Sequence, residues 1–245
     1  MPTAEWHARA LLLRADICWY VLTRFRWRRA ATAAALCLSA LASTTAPVSA
    51  EAPVAAPAVR RDLPEPPSTD VARVELADLT VEPPHSMTGY SRAKFPHWVK
   101  QQGACDTRET TLVRDGRDVR LDDQCRAVSG TWVSAYDGKV FASAGQLDID
   151  HMVPLANAWR SGADTWSTDQ RKRFANDLTN PQLIAVSAAS NRSKGDQSPD
   201  QWRPPLTSYW CTYSRAWTHV KHLYKLSVTH REQETLVAML DTCER

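Results

Sequence analysis

Between Glu51 and Pro84 the chain is so rich in proline, alanine and glutamate (A-P-V-A-A-P, P-E-P-P, E-P-P), and so poor in aromatic residues, that it cannot repay the entropy of ordering itself. Residues 51–86 are therefore expected to form a flexible, partly extended tether. Whatever this chain of 245 residues folds into must come from the residues after it, where seven of its ten tryptophans lie. That leaves one modest domain, residues 87–245.

Ahead of the tether stands a different kind of segment. The basic cluster R-F-R-W-R-R at 24–29 leads into an Ala/Leu-rich run at 30–42 and then into small residues ending Val48-Ser49-Ala50. That order is the order of a secretory leader cut after Ala50, so residues 1–50 are read as a signal peptide and the mature chain as secreted. The competing reading is a membrane anchor, but the apolar run falls short of the ~20 residues a span requires. No stable membrane association is expected once the leader is gone. Arg28-Arg29 resembles a twin-arginine signal and Cys37 a lipoprotein cysteine only weakly, since Leu36 stands where a small residue is usual. The long lead-in suggests a translation start nearer Val21.

Without the leader, 24 Lys and Arg face 25 Asp and Glu, so the surplus of +3 in the whole chain belongs largely to residues 1–50. From Thr88 onward the balance is 21 against 18. Such a surface permits nucleic acid as a partner without requiring it.

Cys18 and Cys37 leave with the leader, and the exported part keeps Cys105, Cys125, Cys211 and Cys243. An even number in an exported domain reads as two disulfides. Three pairings are open. Cys105–Cys125 with Cys211–Cys243 is favoured because each closes a modest loop. Zinc is the weaker reading, as no C-x2-C pair is present.

The local signals describe an α+β domain. Residues 91–101 read as loop and short helix. Segments 110–113 and 117–121 read as strands about the turn Asp115-Gly116, and 132–135 and 139–142 repeat the pattern about Asp137-Gly138. Residues 146–152 alternate as a strand, and Pro154 turns the chain into a helix near 155–160. Ser167 and Gln170 form a capping box opening a helix to about 178. A strand at 182–186 and a helix from Ser187 follow. Two helices close the chain, one over 209–226 and one capped by Thr229 with Glu232 and running to about Cys243.

Chemistry concentrates in D-I-D-H-M-V-P-L from Asp148 and in L-T-N-P-Q-L followed by N-R-S-K-G-D-Q-S-P-D-Q-W from Asn191. Asp148 and Asp150 share one face of a strand, and His151 points to the other unless the strand end turns it. Carboxylate oxygen suits a hard cation, and an imidazole can take a proton from water near neutral pH. Asn191 supplies a neutral hard oxygen. Taken singly, each of these residues is better explained by an ordinary turn or surface position, Asn180 before Pro181 included, and only their company changes that. Arg192, Lys194, Arg160 and the run Arg171, Lys172, Arg173 could touch a phosphate backbone or simply line a solvated face. Arg108 has no spacing argument to bring it to the site.

Together these elements resemble the HNH, or ββα-metal, endonucleases, most closely the exported bacterial type with D-x-D-H-x-x-P-L, then N-x-x-L, then N-x-x-K-x-D-x-x-P-x-x-W. The positions are Asp148, Asp150, His151, Pro154 and Leu155, then Asn180 and Leu183, then Asn191, Lys194, Asp196, Pro199 and Trp202. The C-D-T-R-E run from Cys105 extends the likeness. The resemblance implies two strands and a helix presenting one divalent metal; the residue reading adds small hairpins beside them and a disulfide-stapled helical hairpin at the end. By position it makes His151 the general base and Asp150 with Asn191 the metal ligands. Asn180 then fastens the loop that aims His151, Asp148 acts from behind the metal ligands, and Lys194 and Arg192 bind substrate. Asn191 stands where many HNH enzymes have histidine, and an oxygen-only set shifts preference from zinc to magnesium, or manganese. The implied activity is hydrolysis of DNA with low sequence specificity by a secreted monomer. If the role is that of a toxin, an immunity protein is a further partner. The reading from another class is a non-enzymatic extracellular module with a cation bound at Asp148 and Asp150 for stability alone.

Overall fold

The computed structural model describes residues 63–244; the signal peptide, the start near Val21 and the first part of the tether lie outside the described residues. Thr69–Asp78 form helix α1, whose Ser68 cap accepts the Val71 N–H at 3.4 Å. Short strands β1 (Lys100–Gln102) and β2 (Cys105–Asp106) pair antiparallel and lead into α2 (Thr107–Asp115). Strands β3 (Gly116–Leu121), β4 (Ala127–Val133) and β5 (Val140–Phe141) form an antiparallel meander. Then come β6 (Leu147–His151), α3 (Leu155–Arg160), α4 (Thr168–Ala175), β7 (Leu183–Ser187) and α5 (Ala188–Lys194). The chain ends in α6 (Trp210–Leu223) and α7 (His230–Leu240). The architecture is α+β, as the sequence predicts, and both local disulfides are formed, Cys105–Cys125 and Cys211–Cys243. Among the described residues no helix is long and apolar enough to cross a membrane.

Two expectations need correction. The first hairpin, about Asp115-Gly116, is absent, because residues 107–115 are helical. The β-branched run T-T-L-V suggests a strand, but Asp106 caps the helix by accepting the Glu109 N–H at 2.9 Å. Thr110 and Thr111 turn their hydroxyls back to the carbonyls of Asp106 and Thr107, and Leu112 is buried against Trp132. Gly116 follows because Trp132 lies over it: an added Cβ would meet the indole nitrogen at 2.5 Å.

The second correction concerns the tether. From Leu63 onward the segment is packed, and α1 buries Ala72, Leu76 and the following Leu79, an i, i+4, i+7 stripe, beside α6 and α7. The Arg215 side chain holds the carbonyls of Pro66 and Pro67 at 2.7 and 2.6 Å, and Val81 bridges to Val228. Proline and alanine richness hid this stripe. Its order comes from the helices it covers, not from the segment itself.

The β6–β7 hairpin stands between two apolar clusters. Ile184 and Val186 face the larger, built on α3, α4, α6 and α7, while Leu183, Ala185, Leu147 and Ile149 face the smaller, around Trp132. Burial on both faces explains the unbroken apolar run of β7. The register pairs Asp150 with Ile184 and His151 with Leu183, and α5 packs on both strands. The two residues that end β6 therefore lean to opposite faces, around one strand end.

Candidate active site

Asp150 faces the larger cluster and is 5% exposed. Its Oδ2 accepts two hydrogen bonds, from the Tyr136 hydroxyl at 2.6 Å and from the Lys194 ammonium at 2.6 Å. Lys194 spends its other two protons on the carbonyls of His151 and Met152, at 2.8 and 3.1 Å. Burial pushes the Asp150 carboxyl up, opposed by the Lys194 charge and by the Tyr136 hydroxyl. It pushes the Lys194 ammonium down, opposed by Asp150. Each charge is the reason the other can stay inside.

His151 lies on the other face. Its Nε2 is 3.0 Å from the carbonyl of Ala175, which can only accept, so Nε2 carries the proton and Nδ1 the lone pair. The Trp98 ring lies against it, 5.7 Å away and tilted by 32°. Burial lowers the imidazole to about 3, with the charge of Arg92 adding to the effect. The ring is therefore neutral at any ordinary pH.

Asn191 enters from α5 and donates through Nδ2 to Asp148 Oδ2 at 3.1 Å, which leaves the amide oxygen uncommitted. Asp150, His151 and Asn191 line one cavity of about 210 Å³, together with Tyr90, Arg92, Pro154 and Asp196. Among the described residues no cage of three or more His, Cys, Asp or Glu is gathered anywhere. Among the oxygens that could hold a hard cation at this cavity are Asp150 Oδ1, which takes neither of the bonds made to Oδ2, and the Asn191 amide oxygen; the Asp196 carboxylate, the third of these groups, is engaged by Arg160. A carboxylate and a carboxamide fit magnesium or manganese, which keep several waters, better than zinc.

Other expected site residues stand elsewhere. Asn180 does not line this cavity. Its side chain donates to Asp177 at 2.8 Å, and its carbonyl accepts from Gln182 at 2.7 Å, bracing the loop between Ala175 and β7. Lys194 is corrected as a substrate-binding residue, because it is fully buried and its three protons are already placed. Arg192 is exposed but outside the cavity lining. Arg160 is held by Asp196, Arg108 by Glu109, and Arg171 by the carbonyls of Lys94, Ala163 and Trp166. Tyr136 is the partner that sequence reasoning missed: it sits beside the Asp137-Gly138 turn, where nothing local marks it as inward-facing.

The fold and this cavity define a small disulfide-stapled α+β domain whose polar site is built on a two-stranded hairpin and the helix after it. Residues 109–239 match the family described as GmrSD restriction endonucleases, C-terminal domain, and the chain belongs to that family of nuclease domains. It is also 54% identical, over 196 residues, to an uncharacterized secreted protein of the fungus Arthroderma benhamiae; the alignment covers 80% of this chain and 96% of that one. That relative is fungal, so the bacterial type expected from the sequence gains no support from it, and the chain is a secreted protein. No solved structure matches it.

Proposed function

We propose that this protein is a secreted endonuclease that hydrolyses phosphodiester bonds in DNA with little sequence preference, with His151 as general base and one divalent cation at Asp150 and Asn191. The observation that supports the reading is that these three residues, from β6 and α5, line a single cavity. A cation bound there, magnesium or manganese, would supply positive charge against the phosphate oxygens. Asp148 fixes the Asn191 amide by accepting its N–H, so that the oxygen is the atom left to bind.

His151 holds its Nε2 proton on Ala175 and offers Nδ1 to a water. That nitrogen takes the water's proton as the oxygen bonds to phosphorus. The bond to the 3′ oxygen breaks, the 3′ oxygen is protonated from solvent, and a 5′-phosphate remains. The negative charge of an incoming phosphate raises the proton affinity of the imidazole when it is needed. Trp98 and Ala175 keep the ring in place from two sides, and Asn180 braces the loop that carries Ala175 toward β7.

The exported protein is expected to nick supercoiled plasmid in magnesium or manganese and to stop on addition of EDTA. His151→Ala should lower the rate by about 10²–10⁴-fold, the range that a positioned general base supplies. Intact plasmid across a series of divalent metals would overturn the reading. So would nicking by His151→Ala at the rate of the unaltered protein.

A further inference from the structure

With Lys194 buried and Arg160 engaged by Asp196, the cavity needs another group to meet a phosphate. Among the described residues that line it, Arg92 is the single Lys or Arg, and no carboxylate of the described residues lies within ion-pair distance of it. The geometry around it is built. Arg92 opens a short turn, Arg92–Lys94, in which the Ser91 hydroxyl accepts the Ala93 N–H at 3.3 Å. The turn is nailed down by Phe95, fully buried among Tyr90, Trp159 and Phe174. His97 then acts as a bracket. Its Nδ1 donates to the Phe95 carbonyl at 2.7 Å, so its Nε2 is the acceptor for the Arg92 Nε–H at 3.3 Å. One guanidinium N–H is consumed by that bond, and the terminal nitrogens carry no bond to any described residue.

We propose that Arg92 is the phosphate-binding residue of this site: its guanidinium, bracketed by His97 on the turn anchored by Phe95, grips a nonbridging oxygen of the scissile phosphate while His151 serves the water. The inference rests on the nuclease reading above and deepens it, assigning the substrate contact to a segment that precedes the residues matched to the family. A planar guanidinium can offer two parallel N–H groups to one phosphate, which an ammonium cannot.

The test uses the exported protein, supercoiled plasmid and magnesium or manganese. Arg92→Ala should lower kcat/KM by about 10²–10³-fold, as for loss of a donor to developing charge. Arg92→Lys should recover part of that loss, and His97→Ala should show a smaller loss. Arg120→Ala, exposed on β3, is the control and should nick normally. Melting temperatures of the Arg92 and Arg120 variants should match the parent, since both side chains are exposed. DNA binding is measured separately in the inactive His151→Ala background. There, adding Arg92→Ala should reduce the slope of log K against log salt by about one phosphate contact. If the unaltered protein nicks and Arg92→Ala nicks equally well, the Arg92 assignment is wrong and the nuclease reading stands. If the unaltered protein does not nick, the nuclease reading has failed, and Arg92 is judged on DNA binding alone, where an unchanged slope, or no binding, overturns it.

Discussion

At the scale of single residues, Lys194 separates stability from chemistry most sharply. A wholly buried ammonium is tolerated because Asp150 and two carbonyls receive all of its protons, with the Tyr136 and Trp217 rings at 6.0 and 5.8 Å. Replacing it by methionine keeps the bulk and strands the Asp150 carboxylate. Lys194→Met is therefore expected to cost about 3–5 kcal/mol, read from the midpoint of denaturant unfolding. Adding Asp150→Asn should restore much of that loss, since no buried charge is then left alone. A Lys194→Met protein as stable as the parent would refute the ion-pair account. Tyr136→Phe removes one neutral hydroxyl donor and should cost less, about 1–3 kcal/mol.

At the scale of elements, the closing helices show how a local pattern and a covalent link combine. Thr229 and Glu232 make the capping box that starts α7, with the Glu232 N–H given to Thr229 at 3.2 Å. The same Glu232 side chain also accepts from Trp217 at 2.7 Å and pairs with Lys221 at 2.8 Å, tying α7 to α6 from inside. Cys211 and Cys243, 32 residues apart, staple the outer ends of the two helices. Serine at both cysteines should lower unfolding stability by about 2–4 kcal/mol, through the entropy returned to the unfolded chain. Since that pair lies apart from the cavity, nicking at low temperature should be unaffected. Loss of activity without loss of stability would show that the helical hairpin does more than support the site.

On the scale of the whole molecule, the amino-terminal arm closes over the helices and carries a titratable latch. His85 reaches Asp164 at 2.9 Å and Glu82 at 3.3 Å, and the hydrogen bond to Asp164 is the main reason that its imidazole is raised above the usual value. A group raised in the folded state contributes stability that is complete below the unfolded histidine value near 6.5 and is lost as pH climbs through the folded one. The difference in melting temperature between the parent and His85→Ala should therefore be largest near pH 5.5 and shrink toward pH 8.5. A difference that grows with pH would show the latch to be wrongly drawn.

Much of this could be read from the chain alone. The motif residues Asp150, His151 and Asn191, the β6 and β7 strands, both capping boxes and the two local disulfides rest on patterns a few residues long, or on loops short enough to favour their own closure. Such patterns act wherever the segment finds itself. Residues 107–115 show the limit even there, because a β-branched run and a side-chain cap compete locally and the burial of Leu112 beside Trp132 settles the outcome. The remaining features belong to the tertiary structure. Lys194 reads as a surface cation until Tyr136 and Trp217 close over it, α1 reads as tether until α6 and α7 supply the surface its stripe needs, and Arg92 gains a role only when the turn of residues 90–98 is laid beside β6. Whether a charge is buried, paired or left facing a cavity depends on what the rest of the chain places around it, and that placement is decided by packing between segments far apart in sequence.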